Sequence, residues 1–263
     1  MKIAFIGMGN MGKAMINALL NNEFAAEDII GADASANVRE EINSTLRINV
    51  YADNSEAVKA ADIIVLAIKP YLAATVLAEV KESIPAKAII LSIMAGKSIE
   101  WITAHLFADT KVVRAMPNIP ALIGAGITAV CRNELVSDQE MAATVEMLQS
   151  IGAVEEIPET LMDAAVGVAG SAPAYVFLFI EALTAAAVTA GMPPEQALRF
   201  ATHTTLGSAC MILETGKEPR ELCEMVCTPG GTTVEAVRVF EEKHFREIII
   251  AAATAAMKKA GEM

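Results

Sequence analysis

Seven residues of this chain, Cys227 to Thr233, read C-T-P-G-G-T-T, a composition suited to holding a small anion beside a hydroxyl. Pro229-Gly230 favours a tight turn, and Gly231 leaves the backbone bare. Thr232 followed three residues later by Glu235 has the spacing of a capping box, so a helix is expected to open here with Val234, Val237 and Phe240 along one side. The first N–H groups of a helix lack intrahelical partners and sit at the positive end of its dipole. A carboxylate could therefore dock on the backbone of Thr228, Pro229, Gly230, Gly231 and Thr232, with the Thr233 hydroxyl within reach. The same residues would also serve as a plain connector between two helices, and the choice between these readings lies at the other end of the chain.

There, Gly7-Met8-Gly9-Asn10-Met11-Gly12 follows a strand-like run and opens a helix that continues to Leu20. This is the context in which a G-x-G-x-x-G pattern binds a dinucleotide. Gly7 permits the tight turn, Gly9 lets the backbone approach a pyrophosphate, and Gly12 lets helix and strand lie close. Asp33 ends the next strand, where an acidic side chain accepts hydrogen bonds from ribose hydroxyls and repels a 2′-phosphate, which favours NADH over NADPH. Alternatively Asp33 caps the following helix, and Ser35, Asn37 and Arg39 still offer contacts to a phosphate. Ala67-Ile68-Lys69-Pro70 ends the fourth strand and Met94-Ala95-Gly96 follows the fifth, both at the carboxyl edge where ligands of open sheets bind. Lys69 reads equally well as a surface charge.

Elements that could position these groups follow from periodicity. Strands are expected over residues 3–6, 29–32, 48–50, 63–67, 88–93, 112–115, 127–130 and 154–157, with helices between most of them. Runs 63–67 and 88–93 are continuously apolar, as in parallel strands covered on both faces. After Pro158 the strand signals stop, and helices are expected over 161–169, 174–190, 194–215, 219–227 and 233–259, the last broken near His244. The fold class is α/β: a doubly wound Rossmann-type domain over residues 1–158, then an all-helical substrate-binding and dimerisation domain over 159–263.

A net charge of −12, with no cluster of Lys or Arg, argues against nucleic acid or an anionic membrane surface as a partner. Met1 runs almost directly into the first strand, which leaves no room for a signal peptide and points to the cytoplasm. Cys131, Cys210, Cys223 and Cys227 show no framework spacing and read as reduced thiols packed in the core or near the site. His105, His203 and His244 lack the paired spacing of a metal site and are expected on solvent-facing or subunit-contacting helices; no metal is expected. Apolar residues make up 54% of the chain against 20% charged, where about 25% charged is usual. The excess gathers in the uncharged run 164–180. A membrane span there is disfavoured by its length and by Gly170, Ser171 and Pro173, so burial between subunits of a homodimer or larger homo-oligomer is expected.

Five segments together resemble the pyrroline-5-carboxylate reductases of proline biosynthesis: F-I-G-M-G-N-M-G from Phe5, A-I-K-P from Ala67, R-A-M-P-N-I-P from Arg114, G-S-A-P-A-Y-V-F from Gly170 and T-P-G-G-T-T from Thr228. They occur in the family's order over almost the whole chain. The resemblance implies reduction of a cyclic imine, L-1-pyrroline-5-carboxylate, to L-proline by hydride from NAD(P)H. It also implies that the T-P-G-G-T-T loop binds the substrate carboxylate, that Thr233 contacts the ring nitrogen, and that Asn54 joins Gly7 to Gly12, Ala67 to Pro70, Ala95 and Gly96 around the cofactor. Asp33-Ala34 departs from the Ser or Arg that several members carry for a 2′-phosphate. Two other readings are a related imine or oxo-acid reductase on the same scaffold and a nucleotide-binding regulatory protein without turnover.

Overall fold

In the computed structural model, which describes residues 1–263, the eight expected strands all form. They are β1 (Ile3–Ile6), β2 (Ile29–Ala32), β3 (Asn49–Tyr51), β4 (Ile63–Leu66), β5 (Ile89–Ser92), β6 (Lys111–Met116), β7 (Gly126–Arg132) and β8 (Gly152–Glu156). One sheet holds them in the order β3-β2-β1-β4-β5-β6-β7-β8. Strands β1 to β6 are mutually parallel. β7 pairs antiparallel with β6, because the connection over residues 117–125 contains only a short 3₁₀ turn and a parallel return needs a crossover of about a dozen residues or more.

Helices α1 (Asn10–Asn21), α2 (Ala36–Leu46), α3 (Asn54–Val58), α4 (Ala73–Val80), α5 (Ile99–His105) and α6 (Asp138–Gln149) cover the sheet. Burial on both faces explains the continuous apolar strands. Ile3 and Phe5 of β1 pack with Met15, Ile16 and Leu19 of α1, whereas Ala4 and Ile6, which point the other way, pack with Leu77 and Val80 of α4. Ser137 and Glu140 form a capping box that starts α6. Lys111 and the Ser137 N–H draw the Glu140 carboxyl down to about 2. Arg114, buried in β6, donates to Glu159, which also accepts from the Ile99 N–H at the start of α5.

Beyond the sheet the chain is helical: α7 (Met162–Ala165), a π turn over Val166–Gly170, α8 (Ala172–Thr189), α9 (Pro194–Thr215), α10 (Pro219–Val226), α11 (Thr232–Glu242) and α12 (Phe245–Gly261). His244, with φ of 54°, makes the expected break before α12. Two compact units result, Met1–Gly170 with Ala256–Met263, and Ser171–Ala255.

The expectation that Gly170, Ser171 and Pro173 interrupt the apolar run is corrected. The π turn absorbs the irregularity, and Pro173 sits in the first turn of α8, where a missing N–H is tolerated. A helical stretch of 31 residues, Glu159–Thr189, is therefore long and apolar enough to cross a membrane by length and composition. Within the second unit α8 packs along α9, yet no residue of α8 is fully buried, and Phe177 and Leu178 remain 60% and 64% exposed. Of the cysteines only Cys131 lies in the core, where burial pushes its thiol up to about 11; Cys210 and Cys223 are exposed, contrary to expectation. His105 does not face solvent freely either. Its ring stacks on Trp101 with centroids 3.9 Å apart, and its Nδ1 lies 2.8 Å from the Trp101 carbonyl.

Candidate nucleotide cradle and anion loop

Strand order reverses between β1 and β4, and at that point the carboxyl ends of neighbouring strands diverge to leave a crevice. A cavity of about 440 Å³ opens there. Gly7, Met8 and Gly9 after β1, Met11 of α1, Asp33 after β2, Ala67, Ile68, Lys69 and Pro70 after β4, and Ala95 after β5 line it.

Gly7 has φ of +87°, and a Cβ on it would stand 2.7 Å from the Ala67 carbonyl oxygen, so the turn requires glycine. Gly9 differs. It is the N-cap of α1 in extended conformation, and a Cβ there would meet nothing within 4 Å. No side chain caps α1, so its leading N–H groups face a bare backbone approach, which is the donor set that suits a pyrophosphate. The protein's own contacts do not demand glycine at position 9; a ligand pressed against the backbone would.

The Asp33 carboxylate ties this loop to the next. One oxygen accepts from the Met8 N–H and the other from the Ser35 N–H, both at 2.9 Å. Ser35, not Asp33, caps α2 by accepting from the Val38 N–H at 3.4 Å. Arg39 braces the turn from beneath, its Nη1 donating to the carbonyls of Asp33 and Ala34 at 2.8 and 2.9 Å. Each carboxylate oxygen keeps a second lone pair, so the group can still accept from a ribose hydroxyl.

Four expected cofactor residues lie off the cavity wall. Asn10 and Gly12 sit in the first turn of α1, where a Cβ on Gly12 would stand 2.7 Å from the Gly7 carbonyl oxygen. Asn54 opens α3 and donates to Glu79 at 3.0 Å. Gly96, at φ of +69°, is covered by Met263, whose Cβ would be 2.5 Å from a Cβ on the glycine. Met94, expected at this edge beside Ala95, lines the cavity, as do Leu72, Ile93, Met116 and Pro117, which were not expected there.

In the second unit, α10 ends at Val226 and the chain turns through Thr228, whose carbonyl accepts from the Gly231 N–H at 2.9 Å. Gly230 adopts φ of +74° within this turn. The expected capping box does not form: Gly231 is the N-cap of α11, so Thr232 and Thr233 are its first and second residues, one position too far into the helix to cap it. Glu235 pairs with Arg238 instead, at 3.2 Å. The outcome favours an anion site, because the first N–H groups of α11 are left without a side-chain acceptor.

Residues 159–263 match the family model described as pyrroline-5-carboxylate reductase dimerisation, and residues 2–96 match one described as NADP oxidoreductase, coenzyme F420-dependent. The pyrroline-5-carboxylate reductase of Escherichia coli (strain K12) is 43% identical over 263 residues, covering 100% of this chain and 98% of the relative. The chain belongs to the pyrroline-5-carboxylate reductase family. Among solved structures, a pyrroline-5-carboxylate reductase from Coxiella burnetii superposes with a TM-score of 0.93 at 32% identity, covering 99% of this chain and 97% of that one. The Plasmodium falciparum pyrroline carboxylate reductase with NADP bound gives 0.90 at 30% identity, with the same coverage.

Met116 ends β6 and Pro117 follows it, at the same carboxyl edge as Ala67 to Pro70 after β4, so that position was the signal that could have marked them as wall residues. A larger, shallower depression of about 730 Å³ lies at the ends of β7 and β8, among Arg132, Glu134, Asp138 and Glu156. Arg132 is already paired there with Asp138 and Glu156, and the reversed direction of β7 puts this depression at the opposite sheet edge from the Gly-rich turn.

Proposed function

We propose that this chain reduces L-1-pyrroline-5-carboxylate to L-proline, using the cavity at the ends of β1, β4, β5 and β6 for NAD(P)H and the T-P-G-G-T-T loop for the substrate. The full-length relationship to pyrroline-5-carboxylate reductases carries this reading. Reduced nicotinamide, when bound, supplies the hydride. The chain's own groups do the rest. The leading N–H groups of α1 hold the pyrophosphate over Gly9, and the uncapped N–H groups of α11 hold the substrate carboxylate. The Thr233 hydroxyl orients the ring nitrogen and shares a hydrogen bond as the charge there changes. The deciding assay is substrate-dependent oxidation of NADH and NADPH, with proline as the product; oxidation of neither cofactor would refute the activity.

Asp33 is proposed as the discriminating residue between the two cofactors, with NADH preferred. Its carboxylate accepts from the adenosine ribose and repels a 2′-phosphate, and Arg39, which could attract that phosphate, is already bound to two backbone carbonyls. NADH should show the lower KM in initial-rate measurements, and Asp33→Ser should raise it. A clear preference for NADPH would show that Ser35, Asn37 or Arg39 outweighs the carboxylate.

A second copy of the chain, rather than a bilayer, is proposed to cover the apolar helices of the 159–263 segment, giving a cytoplasmic homo-oligomer built from dimers. The match of this segment to a dimerisation family model supports the choice. Obligate dimers commonly bury about 2,000 Å² or more and resemble a core cut in two. Light scattering should find a dimer or larger assembly at micromolar concentration. A folded, fully active monomer would overturn this assignment.

A further inference from the structure

The π turn Val166–Gly170 shifts backbone carbonyls out of the α-helical ladder, and one of them is met by a side chain far away in sequence. Asn118, only 9% exposed, donates from Nδ2 to the Ala169 carbonyl at 3.2 Å and accepts at Oδ1 from the Ile127 N–H at 3.0 Å. Both ends of the amide are therefore engaged, and the chemistry of the partners fixes its orientation, because only the NH₂ can face a carbonyl. Two residues earlier, Met116 lines the nucleotide cavity together with Pro117, while Asn118 does not. Met116 also meets the π turn: a Cβ on Gly170 would lie 3.5 Å from the Met116 methyl. The β6 wall of the cavity thus meets a helical turn to which Asn118 donates a hydrogen bond.

We propose that Asn118 is a positioning residue for the nucleotide site, its hydrogen bond to the Ala169 carbonyl holding the π turn against Met116 and so setting the shape of the cavity wall. The proposal rests on the cavity being the cofactor site, as read above. Without the donor, the turn can relax toward ordinary α-helical register and withdraw from Met116.

Asn118→Asp isolates the bond, since the carboxylate still accepts from Ile127 N–H but offers an acceptor to an acceptor at Ala169. Affinities for NADH and NADPH are measured by titration in the absence of substrate, so failure of the reductase activity would not disturb the readout. At neutral pH the variant should bind the preferred cofactor about ten- to a hundred-fold more weakly than the parent, with far-UV dichroism retained. Burial and the facing carbonyl raise the carboxyl pKa, so at lower pH the acid form donates to Ala169 and affinity recovers. The parent protein should show no such recovery. If Asn118→Asp does not fold, Asn118→Ser, which is smaller and uncharged, is measured in its place and should show the weakened binding without the pH-dependent rescue. A folded variant with parental affinity but a lowered Tm would overturn the proposal in favour of a purely structural role, as would failure of both variants to fold.

Discussion

Thr233→Val is expected to keep the fold and cofactor binding while lowering kcat/KM by about 10- to 1000-fold, the range for losing a hydrogen bond to a group whose charge changes during reaction. The substitution preserves shape at the second position of α11 and removes only the hydroxyl. That hydroxyl is not committed to the helix. Thr184, Thr189 and Thr205 each donate to the carbonyl four residues back, whereas for Thr233 that position is Pro229, outside the helix. Thr233→Ser should restore most of the activity, since it returns the oxygen without the methyl. Steady-state kinetics with both variants, alongside cofactor titration, would decide the matter. Turnover by Thr233→Val close to that of the parent would retire the proposed contact with the ring nitrogen.

Gly9→Val and Gly7→Ala should fail in different ways, although both alter the same turn. At Gly9 the backbone is extended and a Cβ meets no protein atom within 4 Å, so the valine variant should fold with an unchanged Tm. Its side chain would nevertheless stand where the proposed pyrophosphate contact lies. Affinity for NADH and NADPH should fall by on the order of a hundred-fold, equivalent to about 2.7 kcal/mol. At Gly7 the loss should come from folding: φ of +87° and a Cβ 2.7 Å from a backbone oxygen leave alanine no relaxed position. A strained residue of this kind costs on the order of 2 kcal/mol, lowering Tm by roughly 5 °C in a domain of this size. Calorimetric unfolding and binding titrations on the two variants separate the effects. Parental cofactor affinity in Gly9→Val would remove the pyrophosphate from this turn.

The contrast between these glycines shows how much of the site can be read in one dimension. The pattern Gly7, Gly9, Gly12 between an apolar run and a helix encodes backbone shape directly, because φ above zero and bare approach are properties of glycine itself. Similar local rules place strands such as β4 and β5, since continuous apolar runs cannot be left in water and are too short for buried helices. The helix end at Glu242 and the restart at Phe245 were equally local in origin. The T-P-G-G-T-T loop lay where expected, but its cap moved by one residue, from Thr232 to Gly231. Both residues can serve as an N-cap, and spacing to Glu235 could not choose between them.

By itself, then, the amino-acid sequence determined the α/β architecture, the Gly-rich turn, the helical second part and, through its ordered motifs, the family. Tertiary structure decided how those pieces meet. Met8 bonds to Asp33 across 25 residues, which makes an expected ribose ligand a brace of the Gly-rich turn as well. Asn118 reaches Ala169 across 51 residues, and Met116 and Pro117 join the cavity wall because β6 lies beside β5. Asn54 and Gly96, which do not line the cavity, meet Glu79 and Met263, partners that no local pattern connects to them. The division has a physical cause. Dihedral preference and hydrophobic periodicity act over a few residues and are written along the chain, whereas hydrogen bonds between distant segments depend on strand order and packing, which exist only once the sheet has formed.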